Sequence, residues 1–437
     1  MKGPFQSQQG KTTVLIVVAI AILLAIAATL VFRDSTPPTF TLSPESGAIS
    51  NRPLNMELTD PESGLKSLTV TLDQSGTPTT LLNKTFEGKP KQVREEITLA
   101  AAGTLQNGPV TLRIQTINGS LFSGKTEQSL SFEVDTQAPK VQVKTAGMNI
   151  TRGGAGLVVY TLNEPVERTG LVVGDYFFPG YLQPSGDYLC FFTYPWDTPA
   201  EAFNPKLIAV DQAGNEGASG IGLHATDRVF RQDTIRISDS FLNAKMPQFA
   251  DQFPAGTSNL DIFLKVNREM RAENRKTLLE IGLRTQPEPL WQEIFLRQPR
   301  AATLSLFADH RTYYYQDQEI DQTTHLGLDL ASIEQAPIPA ANHGRVVFAG
   351  FMGIYGNCVI LDHGAGLQSL YAHLSSIAVK EGDTVTREQI IGQTGATGMA
   401  GGDHLHYEVL ISGVSVNPIE WWDAGWIANN ITGKYAR

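Results

Sequence analysis

Hydrophobic and polar positions along the chain change pattern four times. Residues 14–32, VLIVVAIAILLAIAATLVF, are a run of 19 residues without a charge, apolar except for Thr29. A bilayer-crossing helix needs about 20 such residues. From about residue 37 to 136 short runs alternate apolar and polar side chains between turn residues: SLTVTLD, EEITLA, GPVTLRIQTING and SLSFEVD. A period of two predicts strands with one buried face, and their spacing fits a β-sandwich. Between 229 and 300 the period lengthens. SDSFLNAKMPQFADQF and NLDIFLKVNREMRAENRKTLLEIGL carry Phe, Ile, Leu and Met at helical spacing, and Ser258 is placed to cap the second segment. Pro287, Pro289 and Pro299 end the helical pattern on its C-terminal side. From about 310 the chain is again β-rich and rich in glycine, as in GRVVFAG, CVILDHG and GLQSLYAHLS.

The sandwich pattern restarts once. PPTFTL opens the first unit and APKVQV the second; LRIQTINGSLFSG near the end of the first is echoed by LIAVDQAGNEGAS in the second. VDTQAPKVQV, residues 134–143, resembles the junction between tandem bacterial Ig-like domains. The expected organisation is mainly β. It comprises a cytoplasmic tail (1–13), a transmembrane signal anchor (14–32), Ig-like domains at 37–136 and 137–228, a helical connector (229–309) and a β-rich C-terminal domain (310–437). Lys2 and Lys11 before the apolar run orient the N-terminus inward. A cleaved signal peptide ending near AIA at 25–27 is the rival, but its apolar core is usually about 7 to 15 residues. Either way the bulk of the chain is expected outside the cytoplasm, periplasmic in a Gram-negative cell. Two sandwiches would add roughly 60 to 80 Å of reach.

A net charge of −10 argues against nucleic acid as the partner, since phosphate binding needs basic surface. Two distant cysteines, Cys190 and Cys358, exclude a disulfide framework and a CxxC thiolate metal site. Any metal must then be held by His and carboxylate. Of eight histidines, seven lie from residue 310 onward. In THLGLDLAS, His325 and Asp329 are four apart with Gly327 between them. In GGDHLHYEV, His404 and His406 share one face of a strand, where two imidazoles are poor core material. His325, Asp329 and one histidine of HLH supply the three ligands typical of a catalytic zinc site. The other member of HLH, with His373 of YAHLS, remains for proton transfer or oxyanion support. That inventory matches hydrolysis by metal-activated water. No HExxH occurs, so a thermolysin-type helix is ruled out. A lone HxxxD is common by chance; the ordered set is not.

HxGxD, YAHLS and HLHYEV in this order, with GNCVILDHGAG and VTREQIIGQTGATG between them, resemble the lysostaphin-like (LytM-type) zinc metallopeptidases over roughly residues 320–422. The resemblance implies a Zn2+-dependent endopeptidase cutting peptide cross-links of peptidoglycan. It implies His325, Asp329 and His406 as metal ligands and His373 and His404 as the catalytic pair. Partners expected with it are peptidoglycan, the cytoplasmic membrane through the N-terminal helix, and divisome or wall-synthesis proteins through the Ig-like domains. Two other readings remain: a non-enzymatic activator of wall hydrolases, which would have lost ligands, and an Ig-like scaffold. VKEGDTVTREQIIGQTGATG also resembles the hairpin of lipoyl carrier domains, but the attachment lysine is missing. His363 is expected to hold a turn, and Trp421 and Trp422 to pack the C-terminal end.

Overall fold

A computed structural model describes residues 8–31 and 36–435, apart from 104, 121–123 and 146. The protein is mainly β and divides into two compact units, 1–138 with 210–216, and 139–209 with 217–437. Gln8–Val31 forms a helix over the apolar run, with exposed side chains from 13 to 27. Among the described residues, no helix is long and apolar enough to cross a membrane. Residues 1–7 of the expected tail and Phe32 of the expected span lie outside the described residues.

In the first unit, strands Thr39–Ser43, Leu54–Thr59 and Gln92–Ile97 form one sheet. Gly47–Ile49, Lys125–Val134, Gly108–Asn118, Leu65–Gln74 and Thr77–Thr85 form another. Both sheets contribute to one core: Met56 and Leu58 from the first, Val70, Leu112 and Ile114 from the second. Leu65 and Leu68 both face that core although three residues apart. A register shift between Leu65 and Ser67 inserts the extra residue that period-two alternation forbids.

In the second unit, strands Val141–Val143, Ala155–Leu162, Tyr188–Thr193 and Tyr181–Leu182 make a sheet beside the hairpin of Arg168–Val173 and Tyr176–Pro179. This sandwich does not stand apart from the C-terminal domain as a spacer. Leu157, Tyr160 and Phe191 belong to the same core as Leu361, Tyr407 and Trp421. The Phe191 and Trp421 rings lie 6.1 Å apart, and the Ala155 amide donates to the Glu420 carboxylate at 3.0 Å. The C-terminal domain is built on a sheet running Ala302–Ser305, Leu328–Ala331, Leu405–Ile411, Leu367–Ala372, Asn357–Asp362, Gly344–Phe351 and Thr384–Val385. Its central strands are buried along their whole length, so they lack the alternation that marks a one-sided sheet.

The expected helical connector is only partly helical. Gln232–Ile237 is a strand, parallel to Asp309–Tyr315, because Thr234, Arg236 and Ile235, Ile237 alternate with period two. Helices run from Asp239 to Gln252 and from Asn259 to Gly282; the Ser258 hydroxyl accepts from the Asp261 amide and caps the second. The second contains a π turn, Val266–Met270. Residues 283–301 carry neither helix nor strand, and Pro287, Pro289 and Pro299 keep a helix from continuing through them. Helix Arg271–Gly282 ends hard against the turn at 412–413. A Cβ on Gly282 would lie 2.3 Å from the Gly413 nitrogen, so only glycine permits this approach.

His363 holds this domain together from inside. Its Nδ1 donates to the His343 carbonyl at 2.7 Å, Nε2 accepts from the Ser369 hydroxyl at 2.7 Å, and its ring packs edge-on to Phe295. Burial pushes its pKa down from 6.5 to about 4. The unfolded chain therefore takes up a proton near pH 6.5 that the folded chain refuses until about pH 4. Stability should fall across that window as pH is lowered, by roughly 3 kcal/mol from this group. Denaturant titrations from pH 7 to 4 should show His363→Gln with a flatter pH dependence than wild type; an unchanged slope would remove His363 as the cause.

Candidate metal centre and active site

Adjacent strands place two of the five sequence-predicted residues face to face. In the antiparallel pairing of Leu328–Ala331 with Leu405–Ile411, Asp329 stands opposite His406. His325, at the end of strand Gln318–His325, comes in from the same side. Three donor atoms meet: His325 Nε2 lies 3.0 Å from Asp329 Oδ1 and 3.0 Å from His406 Nδ1, and His406 Nδ1 lies 2.9 Å from Asp329 Oδ1.

The partners of the other ring nitrogens decide what those three atoms are. His325 Nδ1 is 2.9 Å from the Leu306 carbonyl, which can only accept, so Nδ1 carries the proton. His406 Nε2 is 2.8 Å from the Glu408 carboxylate and donates to it. In the neutral rings, His325 Nε2 and His406 Nδ1 are then bare lone pairs, aimed with a carboxylate oxygen at one point. Three electron-rich atoms within 3.0 Å repel unless a cation lies among them. The set therefore fits a divalent metal: two imidazole nitrogens and one carboxylate oxygen, with a side left open, is the ligand pattern of catalytic zinc.

Electrostatics agree. Burial raises the cost of charge on Asp329, but the three histidines around it outweigh that and hold its carboxyl well below the ordinary range. Burial likewise opposes a charge on His406, yet Asp329 and Glu408 push its pKa up to about 9; a metal in the triangle replaces that proton. Burial pulls His325 down. Glu408 also accepts from the Tyr355 hydroxyl at 2.8 Å and, through its other oxygen, from the Ser415 hydroxyl at 2.6 Å. Arg311 donates to the second Asp329 oxygen at 3.0 Å.

The remaining two predicted residues flank the triangle. His404 Nδ1 donates to the Gly402 carbonyl at 2.8 Å, leaving Nε2 bare and 3.4 Å from Asp329 Oδ1. His373 Nδ1 donates to the Thr397 carbonyl at 2.9 Å, and its ring centre lies 4.9 Å from that of His404. His373 has φ 66°, a left-handed backbone that a histidine adopts only where its surroundings enforce it. Its amide donates to the Tyr355 carbonyl at 2.8 Å, which holds that turn. Burial, then the neighbouring His404 and His406, keep its pKa well below 6.5, so it is a neutral proton acceptor.

All five residues line one cleft, with exposures of 5% for His325 and His406, 8% for Asp329 and His373 and 9% for His404. Three arginines absent from the sequence reading also line it: Arg271 and Arg275 from the helix, and Arg311. Glu408 and Tyr355 were missed as well. Glu408 had a signal, since 404, 406 and 408 continue one face of the same strand. Tyr355 and the helix arginines had none. His310 pairs with Thr324 at 3.1 Å and stays outside the cleft lining, and Trp421 is fully buried core.

A β domain carrying two imidazoles and a carboxylate on one side of a cleft, with two more imidazoles beside them, has the architecture of a metal-dependent hydrolase. Residues 323–418 match Peptidase family M23, and this domain belongs to it. A DD-carboxypeptidase/endopeptidase, Mpg, of Neisseria meningitidis serogroup B is 43% identical over 95 residues, 22% of each chain. The peptidoglycan DD-endopeptidase ShyA of Vibrio cholerae is 40% identical over 96 residues, also 22% of each chain. The chain thus spans about a fifth of the length of the curated relatives it matches. The solved catalytic domain of lysostaphin from Staphylococcus simulans is 28% identical, covering 28% of this chain and 92% of that one at TM-score 0.25.

The site's geometry makes Gly327 a test of the triangle. A Cβ there would lie 2.6 Å from His406 Cε1 and 2.8 Å from the Tyr407 carbonyl oxygen. Gly327→Ala should displace the His406 ring and weaken zinc affinity about tenfold or more, read by competition with a chromophoric chelator. Glu408→Gln should cost roughly tenfold to a hundredfold in the same assay, as removal of an outer carboxylate does.

Proposed function

We propose that this protein is a membrane-anchored zinc metalloendopeptidase that hydrolyses peptide cross-links of peptidoglycan. The observation that carries the reading is the convergence of three lone pairs, on His325, Asp329 and His406, beside two imidazoles with one bare nitrogen each. His325, Asp329 and His406 would hold the ion. When bound, zinc supplies Lewis acidity toward the scissile carbonyl and the attacking water.

The chain's own residues do the rest. His404 Nε2 takes up the proton of the attacking water, since its Nδ1 is committed to the Gly402 carbonyl. His404 then hands that proton to the leaving amine, and His373, kept neutral by burial with its bare Nε2 in the same cleft, accepts a hydrogen bond that orients the attacking water. Arg311 holds Asp329 by its outer oxygen, and Glu408 holds His406, so both ligands keep their orientation. Substrate class comes from the relatives, whose names state DD-carboxypeptidase/endopeptidase and peptidoglycan DD-endopeptidase activity. The apolar run at 14–32 supports anchoring with the rest of the chain outside the cytoplasm. A non-enzymatic activator is disfavoured because no ligand or flanking histidine has been lost.

The full chain, purified in detergent and loaded with zinc, should hold close to one ion and lower the fraction of cross-linked muropeptides in purified peptidoglycan. Asp329→Ala should lose most of the zinc. His404→Ala should keep it but fall about a hundredfold or more in rate. Zinc-loaded wild type that leaves every cross-link intact overturns the reading.

A further inference from the structure

The cleft beside the metal triangle carries more positive charge than its own carboxylates balance. Arg271, Arg275 and Arg311 line it; among its lining residues only Asp329 and Glu408 are acidic. Both carboxylates are already engaged. Asp329 uses one oxygen in the triangle and gives the other to Arg311, while Glu408 binds His406, Tyr355 and Ser415.

Two of these arginines differ from their neighbour on the same helix. Arg268 pairs with Asp321 at 3.0 Å. Arg271 and Arg275 have no carboxylate in ion-pair range among the described residues. Arg271 binds only the backbone and side-chain oxygens of Asn267, at 3.2 and 2.7 Å, and burial pulls its pKa down. Arg275 makes one long contact, 3.4 Å to the Thr324 carbonyl, and lies 5.6 Å from the Trp196 ring, which supports the guanidinium from one side. Among the described residues, Arg311 Nε is buried without a hydrogen-bond partner. Arginines four apart on a helix share one face, and the π turn at Val266–Met270 immediately precedes them. Burying guanidinium donors without an anion is costly, and a bound metal adds two more positive charges.

We propose that Arg271, Arg275 and the unpaired Nε of Arg311 form a carboxylate-binding subsite beside the metal triangle, which selects cross-linked peptides bearing a free carboxylate next to the bond that is cut. The inference rests on the peptidase reading and adds the substrate's charge to it. The guanidinium fork matches a carboxylate's two oxygens, and a neutral amide at that position would leave the donors unpaired. Arg275 is the residue to vary, because Arg271 also fastens its helix and Arg311 also positions Asp329.

The test uses two synthetic cross-linked peptides, identical except that the carboxylate flanking the scissile bond is free in one and amidated in the other. Zinc-loaded full-length wild type should cleave the free acid with about tenfold higher kcat/KM or more, the difference lying mainly in KM. In Arg275→Gln that ratio should collapse to within about threefold; Arg275→Lys should restore part of it by keeping the charge. Calorimetry of the same peptides with the His404→Ala protein reads binding without turnover. Acid-selective binding with no cleavage by wild type would keep the subsite and remove the peptidase reading. Equal handling of acid and amide by wild type, or an unchanged ratio in folded, zinc-replete Arg275→Gln, overturns the subsite.

Discussion

The structure turns on a single electrostatic constraint: lone pairs of two histidines and an aspartate are held within 3.0 Å of one another in a buried place. Nothing in an apolar core favours that arrangement. It persists because each outer atom is tied elsewhere, His325 to a carbonyl, His406 to Glu408 and Asp329 to Arg311. The flanking His373 and His404 repeat the device with one carbonyl each. His325, His373 and His404 thereby have their tautomers set before any ligand arrives, and His406 is held so that the proton a metal would displace sits on the nitrogen facing the triangle, which is what preorganisation means in chemical terms.

The surrounding fold supplies the anchors. The strand pairing that puts Asp329 opposite His406 would turn one of these two side chains to the opposite face if it slipped by one residue. Tyr355 links two demands at once: its hydroxyl holds Glu408 and its carbonyl holds the left-handed turn at His373. The loop carrying Tyr355 is fixed in turn by the helix, through Asn274 Oδ1 accepting from the Ile354 amide at 2.9 Å. The loops at 396–398 are held by Lys245 and Gln248 from the preceding helical stretch. The helices are thus part of the site's scaffold as well as the source of two of its arginines.

The second sandwich plays a similar part. Its shared core with the C-terminal domain and its Trp196 beside Arg275 tie it to the cleft, where sequence pattern alone treats it as a repeat of the first. Strand Ala155–Leu162 shares its core with Trp421 of the C-terminal domain, and its first residue bonds Glu420, which no local pattern in the sequence shows.

By itself the sequence determined the β-rich architecture, the helical signal capped by Ser258, and the His and Asp residues brought together around one point. These are local facts: periodicity of two or 3.6, a capping hydroxyl, and metal-binding residue types at short spacing. Which histidines form the triangle and which flank it was not local, because His404 and His406 share a strand face and differ only in what lies opposite them. The roles of Glu408, Tyr355 and the three arginines were not local either. Arg271 and Arg275 look like any solvated helix charges until the helix is laid against the cleft. Only tertiary packing, which decides where a cation meets no carboxylate, separated them from Arg268 with its ordinary ion pair to Asp321.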